Sequence, residues 1–186
     1  MRIVELRRHA ERDSNEDLTA KGVEQCATAK TTLEFPYDAY VISPAKRAKL
    51  TMDAFGGGTA TLEPRLAPRP RTPFAPFQRR HEELLAAGMD AVTAWFTIPG
   101  AHPALAEVGR AALAAVLDLA AKLPEGGRAL AVSHGGTIEP FAVVALDRPY
   151  ASIFGNRELG YCEGTKAYVF GGKVSRVDVV RMHFVS

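Results

Sequence analysis

The sequence has few of the residues that build disulfide frameworks or metal centres. Only two cysteines occur among its 186 residues, Cys26 and Cys162, and neither lies in a metal-ligand spacing. The five histidines form no His-x-His or His-Glu-x-x-His arrangement, so the sequence gives little support for a metal-dependent mechanism. In a reducing cytosol we expect both thiols to be unpaired and buried.

An excess of charge of one sign and long apolar runs are also absent. The 23 Lys and Arg residues against 21 Asp and Glu residues leave a net charge of +2, so any preference for anions should be local to a site. No apolar run reaches the ~18 residues of a membrane helix, and residues 1–5 lack the apolar region of a secretory signal. We therefore expect a cytoplasmic protein that binds neither nucleic acid nor membrane.

What is present indicates one α/β domain spanning residues 1–186. A hydrophobic content of 47% is ordinary for a chain of this length that buries a substantial core. Apolar runs typical of strands alternate with helical patterns. Strands are predicted at 2–8, 40–42 and 129–132, helices at 20–33, 45–55, 81–96 and 104–123 with another from about Thr137, and a hairpin at 165–170 and 174–180. The order predicts a three-layer α/β/α sandwich around a mainly parallel sheet, with an antiparallel element near the C-terminus.

Basic residues follow three of the predicted strands. The first strand ends in Leu6-Arg7-Arg8-His9-Ala10, the second precedes Ser43-Pro44-Ala45-Lys46-Arg47-Ala48, and the third precedes Ser133-His134-Gly135-Gly136. Because the carboxyl ends of parallel strands share one edge of a sheet, these segments should meet there. Two arginines and two histidines at that edge would form a cationic pocket for one tetrahedral dianion.

Taken together and in this order, the motifs resemble those of the histidine phosphatase superfamily, the group that includes the cofactor-dependent phosphoglycerate mutases. The resemblance also covers Asn15, the Leu-Thr-x-x-Gly turn at residues 18–22, and Thr51 at the end of the second motif. It implies a phosphatase that needs no metal or cofactor and hydrolyses phosphomonoesters, either of a small molecule or of a phosphorylated protein side chain. Two alternatives stay open: phosphoryl transfer of the mutase type, and a noncatalytic phosphate-binding regulatory module.

The expected chemistry assigns a role to each residue of the pocket. A neutral His9 would attack phosphorus to give a phosphohistidine, and its other ring nitrogen should donate to a backbone carbonyl. Arg8 and Arg47 would clamp the phosphoryl oxygens, and His134 would form a fourth charged or hydrogen-bonding wall. Asn15 matches a phosphate-contacting position of the family, although a role as a turn residue or helix cap fits it as well.

The proton donor for the leaving alcohol is the part of the family pattern that the sequence lacks. Members carry an acid either after the second motif, where this chain has Ala67, or directly after the later histidine, where it has Gly135. Without a donor, the enzyme would work best on good leaving groups such as aryl phosphates or phosphohistidine.

Several glutamates are candidates for this proton donor. We place the donor at Glu82 or Glu83, which follow a basic segment, slightly ahead of Glu163, which precedes the last strands. Glu139 is also possible, but we expect it to point into the flank of its helix. An acid that keeps its proton near neutrality must lie away from the arginines or be partly buried.

Residues 64–81 combine five prolines with five arginines and two phenylalanines. Proline at this density predicts an irregular extended loop without helix or sheet. We interpret the loop as a cap over the catalytic edge, with arginines that attract an acidic substrate and with Phe74 and Phe77 packing it down. The alternative is a solvated basic connection with two core anchors.

Overall fold

The computed structural model describes residues 1–68 and 72–182, and within them six strands form one sheet. The strands are β1 (Arg2–Arg8), β2 (Ala39–Ile42), β3 (Thr61–Leu62), β4 (Arg128–Ser133), β5 (Gly164–Phe170) and β6 (Lys173–Val180). Their order across the sheet is β3-β2-β4-β1-β5-β6.

The direction of the strands places the three basic motifs at the same edge. β1, β2, β3 and β4 pair in parallel, whereas β5 is antiparallel to β1 and β6 is antiparallel to β5. Arg8 lies opposite Ser133, and Ile42 lies opposite Val132. β1, β2 and β4 therefore end together, and β5 begins at that edge because Gly164 pairs with Arg7. The predicted α/β fold, mainly parallel with an antiparallel C-terminal element, is confirmed.

Helices cover both faces of this sheet. The α-helices are α1 (Ala20–Lys30), α2 (Lys46–Phe55), α3 (Gln78–Ala86), α4 (Ala91–Phe96), α5 (His102–Lys122), α6 (Gly135–Leu146) and α7 (Tyr150–Phe154). Alternate residues of β4 enter different cores: Ala129 and Ala131 pack with side chains of α5 and α6, and Leu130 and Val132 pack with side chains of α1 and α2. This alternation follows from the two-residue period of a strand. Within residues 1–68 and 72–182, no helix combines the length and apolar character needed to cross a bilayer.

Two helix predictions need correction. The helix expected over 81–96 is in fact two helices, α3 and α4. The chain turns between them at Gly88, which has a φ of 86°. Asp90 then caps α4 by accepting a hydrogen bond from the N–H of Thr93 at 2.9 Å. The helix expected from about Thr137 begins at Gly135. Its first N–H groups therefore start immediately after His134.

The expectation that residues 64–81 contain no helix is wrong. The chain forms 3₁₀ turns at Pro64–Leu66 and Thr72–Phe77, and α3 begins at Gln78. Pro64 stands at the start of the first turn, where its missing N–H has no partner to lose, whereas Pro76 lies inside the second turn. Phe74 is buried and serves as the expected core anchor. Residues 69–71, which hold two of the arginines of the predicted cap, lie outside the described residues.

Candidate active site

The three basic motifs meet around a cavity of about 300 Å³ at the carboxyl edge of the sheet. The cavity is lined by Arg8, His9, Arg47, Pro68, Ala91, Val92, His134, Gly135, Gly136 and Glu158. The structure thus brings together the two arginines and two histidines that the sequence predicted at one site. The structure also places a carboxylate, that of Glu158, in the lining of this cavity.

His9 is held as a neutral imidazole with its Nε2 lone pair available. Its Nδ1 lies 2.8 Å from the carbonyl oxygen of Ala10, which only accepts hydrogen bonds, so Nδ1 carries the proton. Burial lowers the pKa of His9 to about 3, and the positive charges of Arg47, Arg8 and Arg12 add to this effect. The backbone hydrogen bond to Ala10 raises the pKa but does not outweigh burial. The expected donation to a backbone carbonyl is present.

His134 adopts the opposite tautomer. The Nη2 group of Arg47 lies 3.1 Å from His134 Nδ1, and because a guanidinium only donates, Nδ1 must accept. Nε2 therefore carries the proton and donates to Ser43 Oγ at 2.7 Å. Burial, together with the neighbouring His9, Arg47 and Arg8, lowers the pKa of His134 to about 2. His134 contributes a neutral hydrogen-bonding wall and not a positive charge.

Arg47 is fixed by the segment that carries it. The hydroxyl of Thr51 donates to the Arg47 carbonyl oxygen at 2.7 Å and accepts from the N–H of Ala10 at 3.0 Å, which ties the start of α2 to the end of β1. The Arg47 guanidinium forms an ion pair with Glu16, a residue with a φ of 64° in the loop after β1. Two of its nitrogen groups therefore have fixed partners before any anion enters.

Arg8 is surrounded by the segment between α7 and β5. Its Nη1 donates to the Leu159 carbonyl oxygen and lies 3.0 Å from Glu158 Oε1. Its guanidinium carbon stacks 4.6 Å from the centre of the Tyr161 ring, and that ring lies 5.8 Å from the ring of His9. The side chain of Arg8 is 17% exposed, so this contact leaves part of the guanidinium open to the cavity.

Two other sequence-predicted residues lie away from the cavity lining. Asn15 is exposed, its N–H donates to Asp13 Oδ1 at 2.8 Å, and its carbonyl oxygen accepts from Lys46 at 3.3 Å. The turn role is the one that its contacts show. Glu82 is exposed on α3 and accepts a hydrogen bond from Gln78 at 3.0 Å, so the structure does not support our preference for it as proton donor.

Two further glutamate candidates, Glu83 and Glu163, also lie away from the cavity lining. Glu83 is exposed and pairs with Arg79 and Arg80. Glu163 is buried, and although burial raises its pKa, hydrogen bonds from Arg181 and from backbone N–H groups outweigh that effect and lower it. Glu163 is therefore an ionised structural group, and neither residue lines the cavity.

Glu139, which we expected to point into the flank of its helix, is fully buried next to Gly135 of the cavity lining. Its Oε1 accepts from the N–H of Leu159 at 2.9 Å and from the Tyr150 hydroxyl at 3.1 Å. Its Oε2 lies 3.1 Å from the place where a Cβ of Gly135 would be. Burial, aided by the charge of Glu158, raises the pKa of Glu139 to about 8, so this carboxyl holds a proton at neutral pH.

Glu158 and Tyr161 are the site residues that sequence reasoning missed. Both precede β5, which was predicted correctly as one strand of the C-terminal hairpin. An antiparallel strand next to β1 must begin where β1 ends, so the segment before it had to lie at the edge that holds the cavity. The pairing of β5 with β1 was the missing information.

The family model for the histidine phosphatase superfamily (branch 1) matches residues 4–177. Among proteins of curated function, no sequence matches this chain.

Solved structures with the same fold share little sequence with this chain. Phosphoserine phosphatase from Entamoeba histolytica is 17% identical with a TM-score of 0.65, covering 96% of this chain and 97% of its own. Bacillus stearothermophilus YhfR is 21% identical with a TM-score of 0.69, covering 96% of each chain. A mycobacterial glucosyl-3-phosphoglycerate phosphatase in complex with VO3 is 20% identical with a TM-score of 0.68, covering 98% of this chain and 100% of its own.

Proposed function

The chain belongs to the histidine phosphatase superfamily, branch 1, and on this basis we propose that it is a metal-independent phosphatase acting on phosphomonoesters through a phosphohistidine on His9. One observation carries the proposal: the neutral imidazole of His9 lines the same small cavity as the guanidinium groups of Arg8 and Arg47. A nucleophile with a free lone pair thus lies beside two fixed cations that attract a phosphoryl dianion.

The reaction has two steps. First, the lone pair of His9 Nε2 forms a bond to phosphorus while the bond between phosphorus and the leaving oxygen breaks. Water then attacks the phosphohistidine, the phosphorus–nitrogen bond breaks, and its electron pair returns to Nε2. Arg8 and Arg47 neutralise the charge on the phosphoryl oxygens throughout, a task that other enzymes give to a metal ion.

His134 has a supporting role in this scheme. Its Nδ1 accepts from Arg47 and its Nε2 donates to Ser43, so it holds the guanidinium in place from one side. Glu16 holds Arg47 from another side. A guanidinium that is already oriented loses little entropy when the dianion binds.

The cavity of about 300 Å³ fits a phosphoryl group with a small part of its carrier. The substrate is therefore a small phosphorylated molecule or a phosphorylated side chain that enters from outside. Its organic part would contact Pro68, Ala91 and Val92, which are apolar residues of the lining.

The test is hydrolysis of p-nitrophenyl phosphate in the presence of EDTA by the wild type, His9→Ala and Arg47→Ala. Matched controls are His102→Ala and Arg110→Ala, which change a histidine and an arginine on α5 outside the cavity lining. We expect chelator-resistant turnover that falls by about 10³-fold or more in His9→Ala and about 10²–10³-fold in Arg47→Ala. Both controls should remain within about twofold of the wild type.

A second readout separates the phosphatase from its alternatives. After a single turnover with labelled substrate, the label should pass through His9 and end in inorganic phosphate. Label that remains on His9 would indicate a phosphate-binding module, and label that passes to an added alcohol acceptor would indicate a mutase. Wild-type activity no higher than that of His9→Ala would reject the proposal.

A further inference from the structure

The residues described in the structure include one carboxylate in the lining of the catalytic cavity, that of Glu158. Its Oε1 lies 3.0 Å from Arg8 Nη1, and its Oε2 accepts from the N–H of Val92 at 2.9 Å. Its side chain is 22% exposed. The carboxyl group is therefore fixed at both oxygens and is still open to the cavity.

The other acidic groups near the cavity are already engaged in structural contacts. Asp90 caps α4 through the N–H of Thr93 and also accepts from the N–H of Glu158 at 3.2 Å. Glu16 is paired with Arg47, and Glu139 lies buried behind Gly135. None of these three lines the cavity.

We infer that Glu158 is the proton donor for the leaving group and, in the second step, the base that activates water. The inference rests on the proposed phosphatase function and deepens it, because an enzyme with a donor acts on esters of alcohols, which are poor leaving groups. The substrate class is then alkyl phosphomonoesters, in addition to the aryl phosphates and phosphohistidine that need little protonation.

The contact between Glu158 and Arg8 explains how the acid acquires its proton at the right stage. In the free protein the guanidinium balances the carboxylate charge. A phosphoryl dianion that binds Arg8 competes with Glu158 for the guanidinium and brings its own negative charge close to the carboxylate. This repulsion favours the protonated form of the Glu158 carboxyl. The buried Glu139, which like Arg8 lies next to Gly135, is protonated at neutral pH and therefore offers Arg8 no competing negative charge.

Every proton is accounted for over the cycle. As the phosphoryl dianion binds Arg8, the Glu158 carboxylate takes up one proton from solvent. In the first step the Glu158 hydroxyl gives its proton to the leaving oxygen as the ester bond breaks, and the alcohol departs. In the second step the Glu158 carboxylate takes a proton from the water whose oxygen attacks phosphorus. When phosphate leaves, Glu158 releases that proton to solvent and pairs again with Arg8, and His9 is again a neutral imidazole with a free Nε2 lone pair.

The experiment compares Glu158→Gln with the wild type on two substrates, p-nitrophenyl phosphate and a simple alkyl phosphate such as glycerol phosphate. Glutamine keeps an oxygen acceptor for the N–H of Val92 and lacks the transferable proton. We expect kcat on the alkyl ester to fall by about 10²–10⁴-fold, while cleavage of the aryl ester falls by about tenfold or less. Glu107→Gln, an exposed carboxylate on α5, is the matched control and should leave both rates unchanged.

A purely structural role for Glu158 gives a different pattern. If it only positioned Arg8, both substrates would slow by the same factor and KM would rise for both, which would overturn the inference. A larger loss on the alkyl ester in Glu82→Gln than in Glu158→Gln would also overturn it. In either case, hydrolysis of p-nitrophenyl phosphate by the wild type would still support the proposed phosphatase. If the wild type did not hydrolyse it, the proposed function would be rejected separately.

The wild type offers a measurement that does not depend on the folding of a variant. Across a series of phosphomonoesters, an enzyme with a working proton donor shows a weak dependence of kcat/KM on leaving-group basicity. A steep dependence, with alkyl esters turned over far more slowly than aryl esters, would contradict the assignment of Glu158.

Discussion

At the scale of single residues, the two histidines of the cavity are both neutral but carry their protons on different nitrogens. His9 is protonated on Nδ1 by its contact with the Ala10 carbonyl, and His134 is protonated on Nε2 by its contacts with Arg47 and Ser43. Their ring centres lie 5.1 Å apart. The first tautomer leaves the Nε2 lone pair of His9 free, as the proposed attack on phosphorus requires, and the second leaves Nδ1 of His134 as an acceptor that orients Arg47.

This assignment predicts the effect of Ser43→Ala. The variant removes the acceptor of the His134 Nε2–H and leaves a buried donor unpaired, which costs about 1–3 kcal/mol. If that cost falls on the orientation of Arg47, kcat/KM for p-nitrophenyl phosphate should drop by about 5- to 150-fold. Ser152→Ala, which removes an exposed hydroxyl of α7, is the control, and equal rates in both variants would contradict the role of Ser43.

Glu139 makes a prediction about stability and pH. Its pKa rises from the ordinary 4.5 to about 8 on folding, so between these values the folded protein binds a proton that the unfolded chain does not. Its contribution to stability is therefore complete below pH 4.5 and is lost as the pH rises towards 8, by at most about 1.4 kcal/mol per pH unit.

Denaturant unfolding of the wild type and Glu139→Gln at pH 5, 6.5 and 8 measures this contribution. The amide does not titrate, so the variant should gain stability relative to the wild type as the pH rises. His9 and His134 act in the opposite direction below pH 6.5, because their lowered pKa values mean that only the unfolded chain binds their protons there. Because both proteins contain these histidines, their effect cancels in the difference between the two free energies of unfolding. If that difference did not change with pH, Glu139 would be ionised in the folded state.

At the scale of elements, the site depends on how α6 is placed, because this helix begins directly after His134. Against α5, the helix packs so closely that a Cβ on Gly109 would lie 2.4 Å from the Pro140 carbonyl oxygen. Only glycine fits at that crossing without displacing one of the helices.

Gly109→Ala should therefore destabilise the protein by about 1–3 kcal/mol through overpacking. Helix propensity alone would give the opposite sign, a gain of about 1 kcal/mol for alanine over glycine. Thermal or denaturant unfolding decides between the two, and a stabilised variant would mean that the helices separate without cost.

At the scale of the whole molecule, the anion site should couple to global stability. The net charge is only +2, yet the cationic groups of the site are concentrated in one cavity, so the folded protein should bind inorganic phosphate and the unfolded chain should not. At a concentration 100 times Kd, a ligand specific for the folded state adds about 2.7 kcal/mol. For a domain of this size that corresponds to a rise in Tm of about 5–10 °C.

Thermal unfolding with and without phosphate, against chloride at the same ionic strength, measures this coupling. Arg47→Ala should abolish the shift, and Arg110→Ala, which changes an arginine outside the cavity lining, should keep it. An equal shift in both variants would place the phosphate elsewhere on the surface.

Local sequence patterns were enough to predict the fold class and the four basic side chains that meet at the cavity. Short apolar runs specify buried strands, and a parallel sheet brings their carboxyl ends to one edge, so Arg8, His9, Arg47 and His134 had to converge. Helix ends in the region of residues 64–96 were predicted poorly, since prolines fit into short 3₁₀ turns and one glycine divides a helical pattern in two.

Which acids lie at the cavity depends on tertiary contacts, whereas the structure agrees with the choice of Arg8 over Arg7 that was predicted from the sequence. Arg7 and Arg8 are neighbours in sequence, but Arg7 is fully buried and donates to Glu5 at 2.7 Å, while Arg8 lines the cavity. Glu158 meets Arg8 across 150 positions of the chain because β5 runs antiparallel to β1. Contacts of this kind depend on strand pairing and burial, which the side-chain pattern of a single segment does not contain.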